Sequence, residues 1–131
     1  MYYKQVAKET AKVLQSYLTY QAVKTIINQL SETNPPQAIW LNQYSDKAKI
    51  QDGESYLEGL MSENKELMLR ILTVREDLAQ QVLEFLPEMV QTNISQSNVE
   101  HRRSLLERLT RVTTSDVEAI ASEENFKQTP D

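Results

Sequence analysis

Leu57, Asn64, Ile71, Leu78 and Phe85 stand seven residues apart, and Leu60, Leu67 and Val74 form a companion row beside them. Met61, Met68 and Val82 flank that seam, and from Leu60 to Leu86 there is neither Gly nor Pro. An apolar heptad sustained over about four repeats is the pattern of a long helix with a coiled-coil-like face. Roughly 33 residues at 1.5 Å each make a rod of about 50 Å. A compact monomer of this length has a radius of gyration near 14 Å, so a diameter of about 36 Å. The rod therefore overhangs its own domain. An apolar seam left in water is a large exposed patch, which soluble monomers rarely carry. Packing against its own copy as an antiparallel two-fold dimer resolves this most simply.

The rest of the chain agrees with an all-α fold. Only 2 Gly and 4 Pro occur in 131 residues, too few turn formers for a strand-rich topology. The segment from Lys4 to Ser31 has neither, and Val6, Val13, Leu14, Tyr17 and Leu18 recur at helical spacing. The stripe drifts to a neighbouring face at Val23, Ile27 and Leu30, which reads as one bent helix or two joined near Ser16. Thr33-Asn34-Pro35-Pro36 stops that helix and starts another, with Asn34 as cap and Pro35 in the first position, where a missing N–H is harmless. Ala38, Ile39, Trp40, Leu41 and Tyr44 belong to this second helix, which ends near Lys49. Pro87 should kink the long helix. Thr92 to Ser97 reads as a polar turn, and Asn98 as the cap of a last main helix through Leu105, Leu106, Leu109 and Val112. Ser115 and Glu118 form a capping box before a short weak helix. Residues 121–131, with Phe126 the one large apolar side chain, read as a disordered acidic tail. The domain reading is thus 1–112 for the helical domain and 113–131 for the short helix and tail.

Composition excludes several chemistries. There is no Cys, so disulfides and thiolate metal sites are impossible. His101 is the single histidine, and position 98 is Asn, so neither a metal site nor a triad assembles around it. It reads as a solvated helix-surface residue. Gly53 and Gly59 stand apart, leaving no phosphate loop. The carboxylates are scattered at helix-surface spacing. A net charge of −5 argues against a nucleic-acid footprint over the whole domain. No apolar run nears the roughly 20 residues needed to cross a bilayer, and the N-terminus lacks the apolar core of a signal peptide. A cytoplasmic, non-enzymatic protein without cofactor or metal is the expectation.

Three groups of residues could carry function. Tyr17 and Tyr20 share one helix face and suit either a wet-edged interface or a core with satisfied hydroxyls. Gln29 and Glu32 are likewise three apart. Glu32 sits at a helix C-terminus, a poor place for an anion, which points to an Arg partner or to a frayed surface end. Arg102, Arg103, Arg108 and Arg111 make the last helix locally basic, diluted by Glu100 and Glu107, and Arg70 and Arg75 lie on the long helix. Arginine forks bind carboxylates well, whether a partner's or the chain's own. Two readings follow: a dimeric module gripping an extended peptide between helices, or a helical regulator touching nucleic acid through the Arg-rich helix. Only the first uses the tyrosine pair.

Several ordered blocks resemble the RbcX family of Rubisco assembly chaperones, cyanobacterial type. They are Ser16-Tyr17-Leu18-Thr19-Tyr20-Gln21-Ala22-Val23, Glu32-Thr33-Asn34-Pro35-Pro36-Gln37-Ala38-Ile39-Trp40-Leu41, and Ile50-Gln51-Asp52-Gly53-Glu54-Ser55-Tyr56-Leu57. Leu69-Arg70-Ile71-Leu72-Thr73-Val74-Arg75-Glu76, Glu84-Phe85-Leu86-Pro87-Glu88-Met89-Val90, Glu100-His101-Arg102-Arg103 and Leu106-Glu107-Arg108 continue the likeness, which spans about Val6 to Thr110.

The resemblance implies an arc-shaped antiparallel homodimer of helical bundles joined along a long kinked helix. It implies binding of the extended C-terminal tail of the Rubisco large subunit in a central groove lined by Tyr17, Tyr20, Thr33, Ile50 and Gln51. It also implies a corner surface of Gln29, Glu32, Arg70 and Arg102 that touches the neighbouring large subunit. Large-subunit dimers would be stapled during octamer assembly and the chaperone released when small subunits bind, with no cofactor, membrane or nucleic acid involved. A place in carbon dioxide fixation follows, in the cytoplasm, with association with the carboxysome left open. Two departures stand out. Asn93 replaces a Gly frequent in relatives at the expected turn. Lys65 replaces a frequent Pro, which should let the long helix run straighter.

Overall fold

The computed structural model describes residues 1–48 and 50–127, and the side chains of 1–48 and 50–112. Among the described residues there are four α-helices and no strand. They are α1 (Tyr2–Thr33), α2 (Pro35–Ala48), α3 (Gly53–Glu63) and α4 (Lys65–Lys127). The chain divides into two compact units, Met1–Glu84 and a second beginning at Phe85, and the division falls within α4.

In the first unit, α1 is one uninterrupted helix through Ser16. Its buried stripe is Leu18, Ala22, Ile26 and Leu30 at i, i+4 spacing, with Thr19 and Val23 beside it. Val6 and Val13 belong to the helical pattern but stand exposed. Asn34 closes α1 through its N–H to the Leu30 carbonyl at 2.7 Å, and its side chain accepts from Gln37 N at 3.4 Å, capping α2 with Pro35 in the first position. Ala38 and Leu41 of α2, and Tyr56, Leu57 and Leu60 of α3, meet the α1 stripe in one core with Leu67 and Ile71 of α4. Trp40 stacks on Tyr44 with ring centroids 5.4 Å apart, and Tyr44 meets Tyr56 at 5.7 Å.

The heptad seam contributes to this core but is not one rod. Asn64 breaks it with an extended backbone, φ −154° and ψ 97°. Its N–H bonds the Leu60 carbonyl at 2.7 Å, ending α3, and its Oδ1 accepts from Leu67 N at 3.1 Å, opening α4. Asn is a strong N-cap and a poor helix-interior residue, so one polar seam member converts a continuous helix into two. The expectation that Lys65 straightens the helix is thereby corrected: the break sits at Asn64, and Lys65 occupies the first position of α4.

A second correction concerns residues 92–98. No turn forms there and Asn98 opens no new helix, because α4 runs on through both. Gln, Thr, Asn and Ser lower helix propensity only by tenths of a kcal/mol each (up to about 0.7) and no Gly or Pro intervenes. Asn93 is accordingly a helical residue. Pro87 lies inside α4 without ending it. The capping box at Ser115 and the tail fall largely on residues whose side chains are outside the described set, and 128–131 lie outside it altogether. In the second unit, Phe85, Met89, Ile94, Leu105, Leu106, Leu109 and Val112 are all exposed in the single chain.

Candidate functional site

The buried stripe of α1 leaves its other faces outward. Tyr17 and Tyr20 are there, 57 % and 45 % exposed, so the pair does not belong to the core. Beside Tyr20 a groove of about 490 Å³ opens between α1, α2 and the segment preceding α3. Tyr20, Val23 and Ile27 supply apolar wall from α1, and Ile50 and Gln51 close it. Ile50 is half-buried and leans on the core cluster, so its position is fixed by packing. Lys24, Asn28, Asn42 and Asp46 add polar groups of both signs. An apolar floor with scattered polar groups suits an extended peptide, whose alternate side chains need burial while its backbone needs partners.

The structure thus brings together Tyr20, Ile50 and Gln51, with Tyr17 one turn away on α1. It does not bring in Thr33, which sits at the end of α1 and donates its hydroxyl to the Gln29 carbonyl at 3.0 Å. Lys24, Asn28, Asn42 and Asp46 were missed by sequence reasoning. They carry no motif, and only the packing of α2 on α1 makes them neighbours.

The corner residues divide similarly. Arg70 of α4 donates through Nη2 to Gln29 Oε1 of α1 at 3.1 Å. Glu32 is exposed one turn further along α1, and no ion pair to it forms among the described residues. Arg102 belongs to the second unit, where it borders an apolar surface with Val99, Arg103 and Leu106.

Arg75 has a different role from Arg70. Its Nη1 donates to Glu54 Oε1 at 2.7 Å and to Thr19 Oγ1 at 3.2 Å. Gln15 Nε2 donates to the same Glu54 oxygen, and the Thr19 hydroxyl donates to the Gln15 carbonyl at 2.8 Å. The Gly53 N–H donates to Ser16 Oγ at 3.1 Å. Asp52 caps α3, accepting from Glu54 N at 3.1 Å and from Ser55 Oγ at 2.9 Å. These bonds, the Ser55 hydroxyl first and then the Ser55 and Glu54 amides, hold its carboxyl below the usual range. Tyr56 is buried, and burial pushes its phenol up although Ser45 Oγ lies 2.7 Å from the hydroxyl. No cluster of three or more metal-ligating groups occurs among the described residues, and no helix there is long and apolar enough to cross a membrane.

Known proteins match this geometry closely. The sequence model of the RbcX protein family matches residues 1–111. The RuBisCO chaperone RbcX of Picosynechococcus sp. is 66 % identical over 118 residues, 90 % of this chain and 88 % of that protein. A crystal structure of RbcX in complex with substrate aligns with a TM-score of 0.79 at 69 % identity, covering 84 % of this chain and 99 % of that one. A crystal structure of the RbcX point mutant Y17A/Y20L aligns with a TM-score of 0.78 at 68 % identity, covering 81 % of this chain and 97 % of that one.

Proposed function

This chain belongs to the RbcX family, and on that footing we propose that it is a Rubisco assembly chaperone acting as a homodimer. Its groove takes the extended C-terminal tail of a newly folded large subunit, with Tyr17, Tyr20, Ile50 and Gln51 holding the peptide. Gln29, Glu32, Arg70 and Arg102 meet the neighbouring large subunit and staple the antiparallel pair. The large-subunit octamer then forms, and small subunits displace the chaperone. No bond is made or broken.

The observation that carries this reading is the outward presentation of Tyr17 and Tyr20 by a helix that buries its aliphatic stripe. Aromatic rings with polar tips suit recognition followed by release, since each buried anchor of the peptide supplies about 1.5–3 kcal/mol and the rim stays wet. The homodimer is supported by the exposed apolar side chains of residues 85–112. The mixed polar groups of the groove favour peptide backbone over phosphate, against a nucleic-acid role.

Titration with a peptide copying about the last dozen residues of a Rubisco large subunit, with mass followed by light scattering, tests the reading. The grooves of the two copies together form one central groove on the two-fold axis, so saturable binding at one peptide per dimer is the expected result. A folded dimer that ignores the peptide overturns it.

A further inference from the structure

Two of the three elements around the candidate groove carry its sequence-expected residues: the α1 turn with Tyr17 and Tyr20, and the segment with Ile50 and Gln51. Nothing in their covalent connection fixes their spacing, because about thirty residues separate them. The same two elements are fastened to each other through residues close in sequence to those of the groove. Ser16 and Thr19 each directly precede one of the tyrosines on α1, and Gly53 and Glu54 closely follow Gln51. Ser16 Oγ accepts the Gly53 N–H at 3.1 Å. Arg75 reaches from α4 to hold Thr19 and Glu54 with one nitrogen, at 3.2 and 2.7 Å.

Two features make this a fitted junction rather than a passing surface contact. A Cβ on Gly53 would stand 2.8 Å from Thr19 Oγ1 and 3.2 Å from Ser16 Cα, so α3 begins as close to α1 as a backbone without a side chain can come. Thr19 is fully buried, and its hydroxyl is satisfied as donor to Gln15 and acceptor from Arg75. Gly53 is the first residue of α3, so its N–H has no carbonyl within that helix. Ser16 supplies the partner instead.

We propose that Arg75 is a positioning residue of the peptide groove: through Glu54 and Thr19 it seats the Gly53 amide on Ser16 and so sets the spacing between the tyrosines and Ile50-Gln51. Arg75 does not touch the peptide. The proposal deepens the chaperone reading and rests on it for the identity of the ligand.

The chain offers a direct probe, because it has only two glycines. Uniform ¹⁵N-glycine labelling of the whole protein gives two amide signals, Gly53 at the junction and Gly59 inside α3. Hydrogen exchange at Gly53 reads the seating without any peptide, with Gly59 as internal control. In Arg75→Met, Gly53 exchange accelerates, Gly59 is unchanged, and affinity for the large-subunit tail peptide falls about tenfold, the scale of one lost charge-assisted hydrogen bond. Arg75→Lys restores part of both. Glu54→Gln gives the same pair of changes, and Arg75→Met with Glu54→Gln gives less than the sum, as one linked unit requires. Unchanged Gly53 exchange in Arg75→Met overturns the proposal, as does faster exchange with undiminished peptide affinity. Faster exchange at both glycines also overturns it, since the variant would then be loosening the fold generally. A wild-type protein that binds no tail peptide but shows the Gly53 contrast overturns the chaperone reading, and the groove assignment with it, while the junction itself stands.

Discussion

Arg70 on α4 and Gln29 on α1 are joined by a hydrogen bond of 3.1 Å from the guanidinium to the amide oxygen. Two residues 41 positions apart in sequence thus occupy one patch of surface, and neither of them lines the Tyr20 groove. The bond is exposed, so its worth to stability is small, about 0–1 kcal/mol. Arg70→Ala is therefore expected to leave melting behaviour and tail-peptide affinity nearly unchanged while impairing assembly of the large-subunit octamer, followed by native mass. Loss of peptide binding in this variant would contradict a division into two surfaces.

Tyr17→Ala with Tyr20→Leu removes two exposed rings and no core atoms. Circular dichroism and dimer mass are expected to stay unchanged, since surface substitutions move stability by about 0.5 kcal/mol or less. Peptide binding is expected to vanish, because losing even one anchor of about 1.5–3 kcal/mol is a tenfold to hundredfold loss. Unfolding of the variant would instead place the tyrosines in the structural framework.

Sequence pattern carried most of the helical architecture because its signals are local. Asn34-Pro35 announces a stop and a start in adjacent residues, and both occur where read. The break at Asn64 was hidden because the residue occupies a seam position, so periodicity spoke for continuity while side-chain capping decided otherwise. The helix through residues 92–98 escapes a sequence reading for the opposite reason: polarity alone suggests a turn, although none of those residues forbids helix. In the site, Tyr20, Ile50 and Gln51 were nameable through resemblance. Lys24, Asn42 and Asp46 were not, since their adjacency exists only after α2 packs on α1. The Arg75–Glu54–Thr19 junction is equally invisible, spanning 56 residues between Thr19 and Arg75.

Ile71 and Leu106 are both aliphatic residues of α4, with opposite surroundings. Ile71 is fully buried and Leu106 is 62 % exposed in the single chain. Ile71→Ala is expected to lower unfolding free energy by about 2–5 kcal/mol through cavity formation. Leu106→Asp is expected to keep the helix content and convert dimer to monomer in sedimentation experiments. A Leu106→Asp protein that stays dimeric would exclude this stretch of α4 from the subunit interface.

Tyr56 links stability to alkaline pH. Burial raises its phenol above the ordinary value of 10.0, so the folded state holds the proton more tightly than the unfolded state. The contribution is fully present below the unfolded value and is lost as pH rises through the folded one. Tyr56→Phe is expected to cost about 0.5–1.5 kcal/mol near neutrality by removing the contact with Ser45. Ser45 keeps its bond to the Leu41 carbonyl at 2.7 Å, which favours the lower end. Urea midpoints measured from pH 8 to pH 11 should fall less steeply in the variant than in the parent.

Lys65→Pro tests the break between α3 and α4. Lys65 is the first residue of α4, where proline forfeits no helical hydrogen bond and its fixed φ suits the helix. Its predecessor, Asn64, is already in the extended region that proline imposes on the residue before it. With the native backbone compatible, proline acts by narrowing the unfolded ensemble, so the variant should gain about 0.4–1 kcal/mol. Asn64→Ala should lose about 0.5–2 kcal/mol with the cap on Leu67 N. In urea both effects should appear as shifts in midpoint at constant slope. A proline variant destabilised by about 3 kcal/mol would mean that Lys65 lies in a helix interior, with the heptad seam running unbroken from Leu57 onward.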